Sequence, residues 1–276
     1  MGMLACWAAG ANAAPPTVAT AGPVLAHYMP WFRAEPLPDG QLLWDHWQWH
    51  GSGPKHDPDE RRGDGRRDIA SVFYPLIGPY DGRDPAVLEY HVGSARLAGI
   101  NGFVVDWYGP GTYSDAVFAG LLAAAGRGGL SVAVCLEEKA FFPGYTNVAT
   151  RAAVLAEAER QMRHVLDTHA AAPAYLRVAD RPVFYLFVNH QQGPLGHHSL
   201  TPEEWRAVMS RFEGPVPWLV RAHADRAYED SVPAVFAWVG DAAYRSNFYA
   251  VARADENAAG QARTGALLPG FDDTGV

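Results

Sequence analysis

Apolar residues along the chain gather in short, nearly continuous runs, separated by longer stretches with helical spacing. The runs are VLAHYMPWF (24–32), GFVVDWY (102–108), LSVAVCLEE (130–138), RPVFYLFVN (181–189), PWLVRAH (217–223), AVFAWVG (234–240) and GALLPGF (265–271). Rich in valine, leucine and phenylalanine and without strict alternation, they predict parallel strands covered on both faces. Between the first two, Pro85–Leu97 places Leu88, Val92 and Ala95 on one helical face. Residues 114–125 are rich in alanine and leucine, and residues 149–169 read as a long amphipathic helix. SLTPEEW gives the sharpest helix start, with Thr201 as N-cap, Pro202 at the first helical position and Glu204 three residues after the cap. That is a capping box. Strands alternating with helices over this length predict a parallel α/β architecture.

The strand ends carry the candidate chemistry. The first run closes on His27-Tyr28-Met29-Pro30-Trp31, the second on Asp106-Trp107-Tyr108, the third on Glu137-Glu138 and the fourth on Asn189-His190. The fifth ends in Arg221-Ala222-His223, the sixth in Trp238-Val239-Gly240-Asp241 and the seventh in Asp272-Asp273. In a (β/α) barrel such ends converge on one mouth, where active sites are built. Carboxylates beside aromatic rings suit a carbohydrate: sugar C–H faces stack on indole and phenol rings, and sugar hydroxyls need acceptors. Glycosidic cleavage needs two acidic groups. Neighbouring strands lie ~5 Å apart, so Asp106 and Glu137 on consecutive runs can bring their carboxylates together. Each is equally readable as a helix cap or an arginine partner.

The longest irregular stretch, 33–84, follows the first strand, and long loops in compact domains are usually functional or disordered. Within it, WDHWQWH places His46 and His50 four apart, but Gln48 stands where a zinc hydrolase would carry glutamate. The segment reads either as a loop covering the mouth with Trp44, His46 and Trp47 or as aromatics packed on the barrel. The mixed charges of HDPDERRGDGRRD (56–68) read as a solvated loop.

With 276 residues, 49% of them hydrophobic, the chain has material for one large core. A single domain over 23–276 is expected. The formal charge of −8, with no basic cluster on a regular face, argues against nucleic acid as the main partner. Two cysteines, Cys6 and Cys135, make neither a disulfide framework nor a cysteine metal site. No phosphate-binding glycine loop and no internal repeat occurs, which counts against a nucleotide cofactor, and none is expected. No window is long and apolar enough for a membrane span. Residues 1–22 begin MGMLACWAAGANAAPP, with a small-x-small site at Ala11-Asn12-Ala13. They read as a secretory leader or a flexible tail, and export to the periplasm or exterior is the expectation.

HYMPWF, WDHWQWH, YPLIGPYDGRDPAVLEYHVGSARLAGINGFVVDWYG and VCLEE together resemble the glycoside hydrolase family 71/99-like proteins, which include the endo-α-mannosidases. The likeness is specific over 72–108 and looser after 140. It implies a (β/α)8 TIM-type barrel, here with seven strands and the eighth strand–helix unit missing. It implies metal-free cleavage within α-linked glycans, with retention of configuration and participation of the sugar's 2-hydroxyl. Carried over, Tyr28, His46, Tyr80 and Trp107 line the sugar sites, Glu137 contacts sugar and Trp238 is an aromatic on strand six. Trp31, Tyr108, Glu138, His223 and Asp241 complete the expected substrate-binding set, with Asp106 and Glu137 as the catalytic candidates. The chain departs from the family at Glu138-Lys139, where the mannosidases carry proline and tyrosine. The family's asparagine-aromatic-x-glutamate-glycine-threonine motif after strand eight is also absent, so the catalytic acid pair is expected to be lost with a missing C-terminus. Two alternatives stay open: a non-catalytic carbohydrate-binding barrel, and a metal-dependent hydrolase using His27, His46 or His223.

Overall fold

The computed structural model describes residues 22–48, 56–188, 191–213, 216–222, 225–236 and 262–264. Seven parallel strands form one sheet: β1 (Leu25–Tyr28), β2 (Gly102–Trp107), β3 (Ser131–Glu137), β4 (Arg181–Phe187), β5 (Trp218–Ala222), β6 (Ala234–Phe236) and β7 (Ala262–Thr264). Their order across the sheet is their order along the chain, the winding of a (β/α) barrel. A two-residue strand, Arg177–Val178, pairs antiparallel with the start of β4. Among the described residues β1 and β7 each have one neighbour, so the sheet is an open, partial barrel. The expected seventh run, 265–271, lies outside the described residues; β7 directly precedes it.

Helices α1 (Pro85–Leu97), α2 (Tyr113–Gly128), α3 (Arg151–Thr168) and α4 (Pro202–Met209) flank the strands. The α1 bounds and its buried Leu88, Val92 and Ala95 match the sequence pattern. Threonine caps start the next three: the side chains of Thr112, Thr150 and Thr201 accept hydrogen bonds from Asp115, Ala153 and Glu204 amides. At Thr201 the reciprocal bond from its amide to Glu204 completes the capping box. Gly129 ends α2 at φ 71°, a left-handed conformation that glycine adopts without a Cβ penalty.

Strand alternation splits the core into two layers. Phe103, Val105, Trp107, Val132, Val134, Leu136, Phe184 and Leu186 face the helices. Val104, Ala133, Cys135, Val183, Tyr185, Val220, Ala222 and Phe236 fill the inner side. A third cluster belongs to the long loop: Trp44, Trp47 and Ile69 are buried with Phe32, Tyr74 and Tyr80 against them. The two tryptophans are therefore the loop's own core. Trp44 Nε1 donates to Asp59 and Trp47 Nε1 to the Tyr80 carbonyl.

Candidate active site

The pleat sends alternate side chains of β2 to opposite faces, so Val104 and Asp106 point inward between Val105 and Trp107. Asp106 pairs with Cys135 across β2 and β3, and Glu137 lies two residues further on the same face of β3. Both carboxyls are buried at 3% exposure, and they are in hydrogen-bond contact. Tyr108 Oη stands 3.4 Å from Asp106 Oδ2 and 3.4 Å from Glu137 Oε1. Lys139 Nζ lies 3.4 Å from Glu137 Oε2, and His27 Nε2 lies 3.9 Å from Asp106 Oδ1. The Lys139 ammonium also rests 5.2 Å from the Tyr108 ring centre and 5.9 Å from that of Tyr145. These two rings stack at 6.2 Å.

The two acids are not equivalent. Burial and the neighbouring Glu137 charge push Asp106 well above the usual carboxylate range. Burial also raises Glu137, but Lys139, Asp106 and Tyr108 each oppose the rise. These directions favour the proton on the Asp106 side of the pair and the charge on the Glu137 side, where Lys139 lies. Burial drives Tyr108 upward, keeping it a phenol, and lowers His27 to about 4, leaving a neutral imidazole. The site thus offers one carboxylate, one neutral carboxyl and a phenol converging on a small space. Phe187, paired with Glu137, and Tyr185 supply apolar surface beside it. Such a site can accept one hydroxyl proton, donate one hydrogen bond and cover a ring face.

Several expected site residues lie elsewhere. Trp107 is fully buried on the helical face; its Nε1 donates to Asp115 Oδ1 at 3.1 Å and its ring stacks on His164 at 6.1 Å. It cannot be a sugar platform, because the residue after an inward-facing one must point outward. Glu138 is also fully buried and faces the helices, accepting from the Leu200 amide at 3.0 Å and from Trp205 Nε1 at 3.0 Å. The chain turns into a 3-10 segment at Glu138, which carries that side chain away from the mouth. Tyr28 turns toward α1, with its hydroxyl 3.0 Å from His91 Nδ1 and its ring edge-on to Phe103. Tyr80 joins the same group, 5.1 Å from the His91 ring. The structure thus gathers Tyr28 and Tyr80 around His91 rather than around the carboxyl pair. Trp31 stacks on His46 at 5.0 Å beyond the end of β1, with His46 at φ 59°. His223, Trp238 and Asp241 lie outside the described residues. Sequence reasoning passed over Lys139, Tyr145, Tyr185 and Phe187, and gave His27 only a metal role; period-two alternation from Asp106 and Glu137 would have found His27, Tyr185 and Phe187.

Among the described residues, two groups of side chains bring metal-ligand atoms within 4.8 Å of one another: His27, Asp106 and Cys135 in the site, and Asp115, His164 and His169 outside it. Burial, with both carboxyls, pushes the Cys135 thiol upward. Neither group contains His46.

The model of glycosyl hydrolase family 99 matches residues 22–210, more than half of the chain. The chain belongs to glycosyl hydrolase family 99. It is similar to the glycoprotein endo-alpha-1,2-mannosidase of Rattus norvegicus, 27% identical over 208 residues, covering 69% of this chain and 42% of that protein. The glycoprotein endo-alpha-1,2-mannosidase-like protein of Homo sapiens is 27% identical over 191 residues, covering 64% and 39%. The chain spans about two fifths of the length of these curated relatives. The solved GH99 endo-alpha-mannosidase of Bacteroides thetaiotaomicron superposes with a TM-score of 0.67 at 18% identity, covering 91% of this chain and 72% of that one. That likeness shows the fold, and the partial barrel is part of a (β/α)8 TIM-type barrel.

Proposed function

We propose that the chain is the barrel of a glycoside hydrolase that acts within α-linked, mannose-containing glycans and retains configuration. The observation that carries this reading is the buried Asp106–Glu137 pair bridged by Tyr108. A carboxylate and a neutral carboxyl side by side can hold a single sugar hydroxyl as acceptor and donor. Phe187 and Tyr145 are the ring surfaces offered to the sugar in place of Trp107. The family membership, and the mannosidase names of the relatives, support the substrate class.

The pair's closeness sets its role. Carboxyls that act as nucleophile and acid in a retaining glycosidase stand about 5–5.5 Å apart, which groups sharing a hydrogen bond do not. Asp106 and Glu137 therefore grip the reacting sugar, Glu137 drawing on its hydroxyl proton. Protonation of the leaving oxygen falls to another acid, which the family resemblance puts in the motif after strand eight. The same closeness favours a second reading, a carbohydrate-binding barrel that has no catalytic acid in its gene. We also propose export, on the leader-like pattern of residues 1–16.

The test is hydrolysis of an α-1,2-linked mannose oligosaccharide by the protein, with product anomers followed by NMR. Release of α-configured product supports the hydrolase. Binding without turnover supports the binding barrel, and absence of binding removes the carbohydrate reading.

A further inference from the structure

We propose that Asp115, His164 and His169 form a binding site for a divalent transition metal ion, with zinc as the fitting ion, on the helical side of the sheet and separate from the carboxyl pair. Asp115 comes from the first turn of α2, His164 from near the end of α3 and His169 from the residue that closes α3. Both imidazoles present Nε2 to the one carboxylate: His169 at 2.9 Å from Oδ1 and His164 at 3.4 Å from Oδ2. All three ligand atoms lie within 4.8 Å of one another. Zinc bonds nitrogen and oxygen at about 2.0–2.2 Å, so two donors on a tetrahedral ion sit about 3.3 Å apart, within reach of this spacing.

Two further observations point to a ligand there. His164 Nε2 is buried and makes no hydrogen bond among the described residues, although it faces a carboxylate. The carboxylate itself is held as a metal ligand needs to be. Trp107 Nε1 donates to Oδ1 at 3.1 Å and the Gly111 amide to Oδ2 at 2.8 Å. A carboxylate has about four acceptor positions; these two fixed donors take two, and the remaining two face the histidines. Donors of this kind orient metal-binding groups in known sites. Side-chain exposures of 28% for His164 and 11% for His169 leave room for a water as fourth ligand. An ion here would tie the end of β2, one residue beyond Asp106, to both α2 and α3.

The experiment uses the untagged 276-residue chain, stripped with a chelator and titrated with Co2+ and Zn2+. The expected result is one equivalent of Co2+ bound with a visible absorption band, displaced by Zn2+. Zinc at a hundred times its Kd should raise Tm by about 5 °C. His164→Ala, at a partly exposed position, should fold and lose at least tenfold in affinity, while His27→Ala should bind as the parent does. The proposal is overturned if the parent takes up no metal saturably, if His164→Ala binds equally well, or if His27→Ala is the variant that loses the ion. Should His169→Ala fail to fold, the His164→Ala comparison decides alone.

Discussion

Replacing Trp107 with alanine separates a core residue from a sugar platform. The ring is fully buried between β2 and the helices, stacked on His164, with its Nε1–H given to Asp115. Truncating such a tryptophan costs about 3–5 kcal/mol in lost transfer energy and cavity. Losing its hydrogen bond adds about 1 kcal/mol. A total of about 4–6 kcal/mol is a large share of the ~5–15 kcal/mol that stabilises a typical domain. Trp107→Phe keeps much of the ring and leaves Asp115 its His169 and Gly111 partners, so it should cost only about 1–2 kcal/mol. Urea unfolding followed by circular dichroism measures both, and calorimetric titration with a mannose oligosaccharide measures binding. The expected outcome is a large drop in midpoint for the alanine variant and parental glycan affinity for the phenylalanine variant. An alanine variant that unfolds at the parental urea concentration yet has lost glycan binding would refute the assignment of this ring to the core.

Phe187→Ala should weaken glycan binding tenfold or more while leaving the unfolding midpoint near the parent's, since the ring is only partly buried beside Glu137; unchanged affinity would remove it from the site. Lys139→Met takes away the cation that opposes the rise of Glu137, so the pH at which binding is half-lost should move upward; an unmoved profile would show that Lys139 does not set the charge of the pair. Glu138 is pushed up to about 7 by burial, with Arg221 and the Trp205 and Leu200 hydrogen bonds opposing. A carboxyl raised on folding favours the folded state below the unfolded value near 4.5 and loses that advantage as pH climbs to 7, a change of about 3 kcal/mol. Glu138→Gln should therefore lose less stability than the parent between pH 4.5 and 7 in urea titrations; parallel curves for the two proteins would contradict the burial argument.

The strand and helix pattern was legible because apolar runs and threonine caps report local physics. The α1 bounds and the Thr201 capping box appear in the structure as the spacing predicts. The juxtaposition of Asp106 and Glu137 was readable from the spacing of neighbouring strands, and the register of β2 on β3 sets both on the inner face. The facing of their neighbours was not read. Trp107 and Glu138 each follow an inward residue and so face the helices, which a tally of strand-end residues ignores. Tyr28 likewise sits one step beyond inward His27. The Asp115–His164–His169 group joins two helices through tertiary packing, and no spacing within either segment announces it.

Calorimetric titration of the parent, Asp106→Asn and Glu137→Gln with one α-1,2-linked mannose oligosaccharide at neutral pH tests the central claim most directly. Burial and Glu137 push Asp106 toward its neutral form, so Asp106→Asn should bind within a few-fold of the parent. Glu137→Gln removes the carboxylate that accepts the sugar hydroxyl and should lose tenfold or more, each tenfold being about 1.4 kcal/mol. Parental affinity in Glu137→Gln, or a parent that binds no α-mannoside, would contradict a sugar site built on this pair.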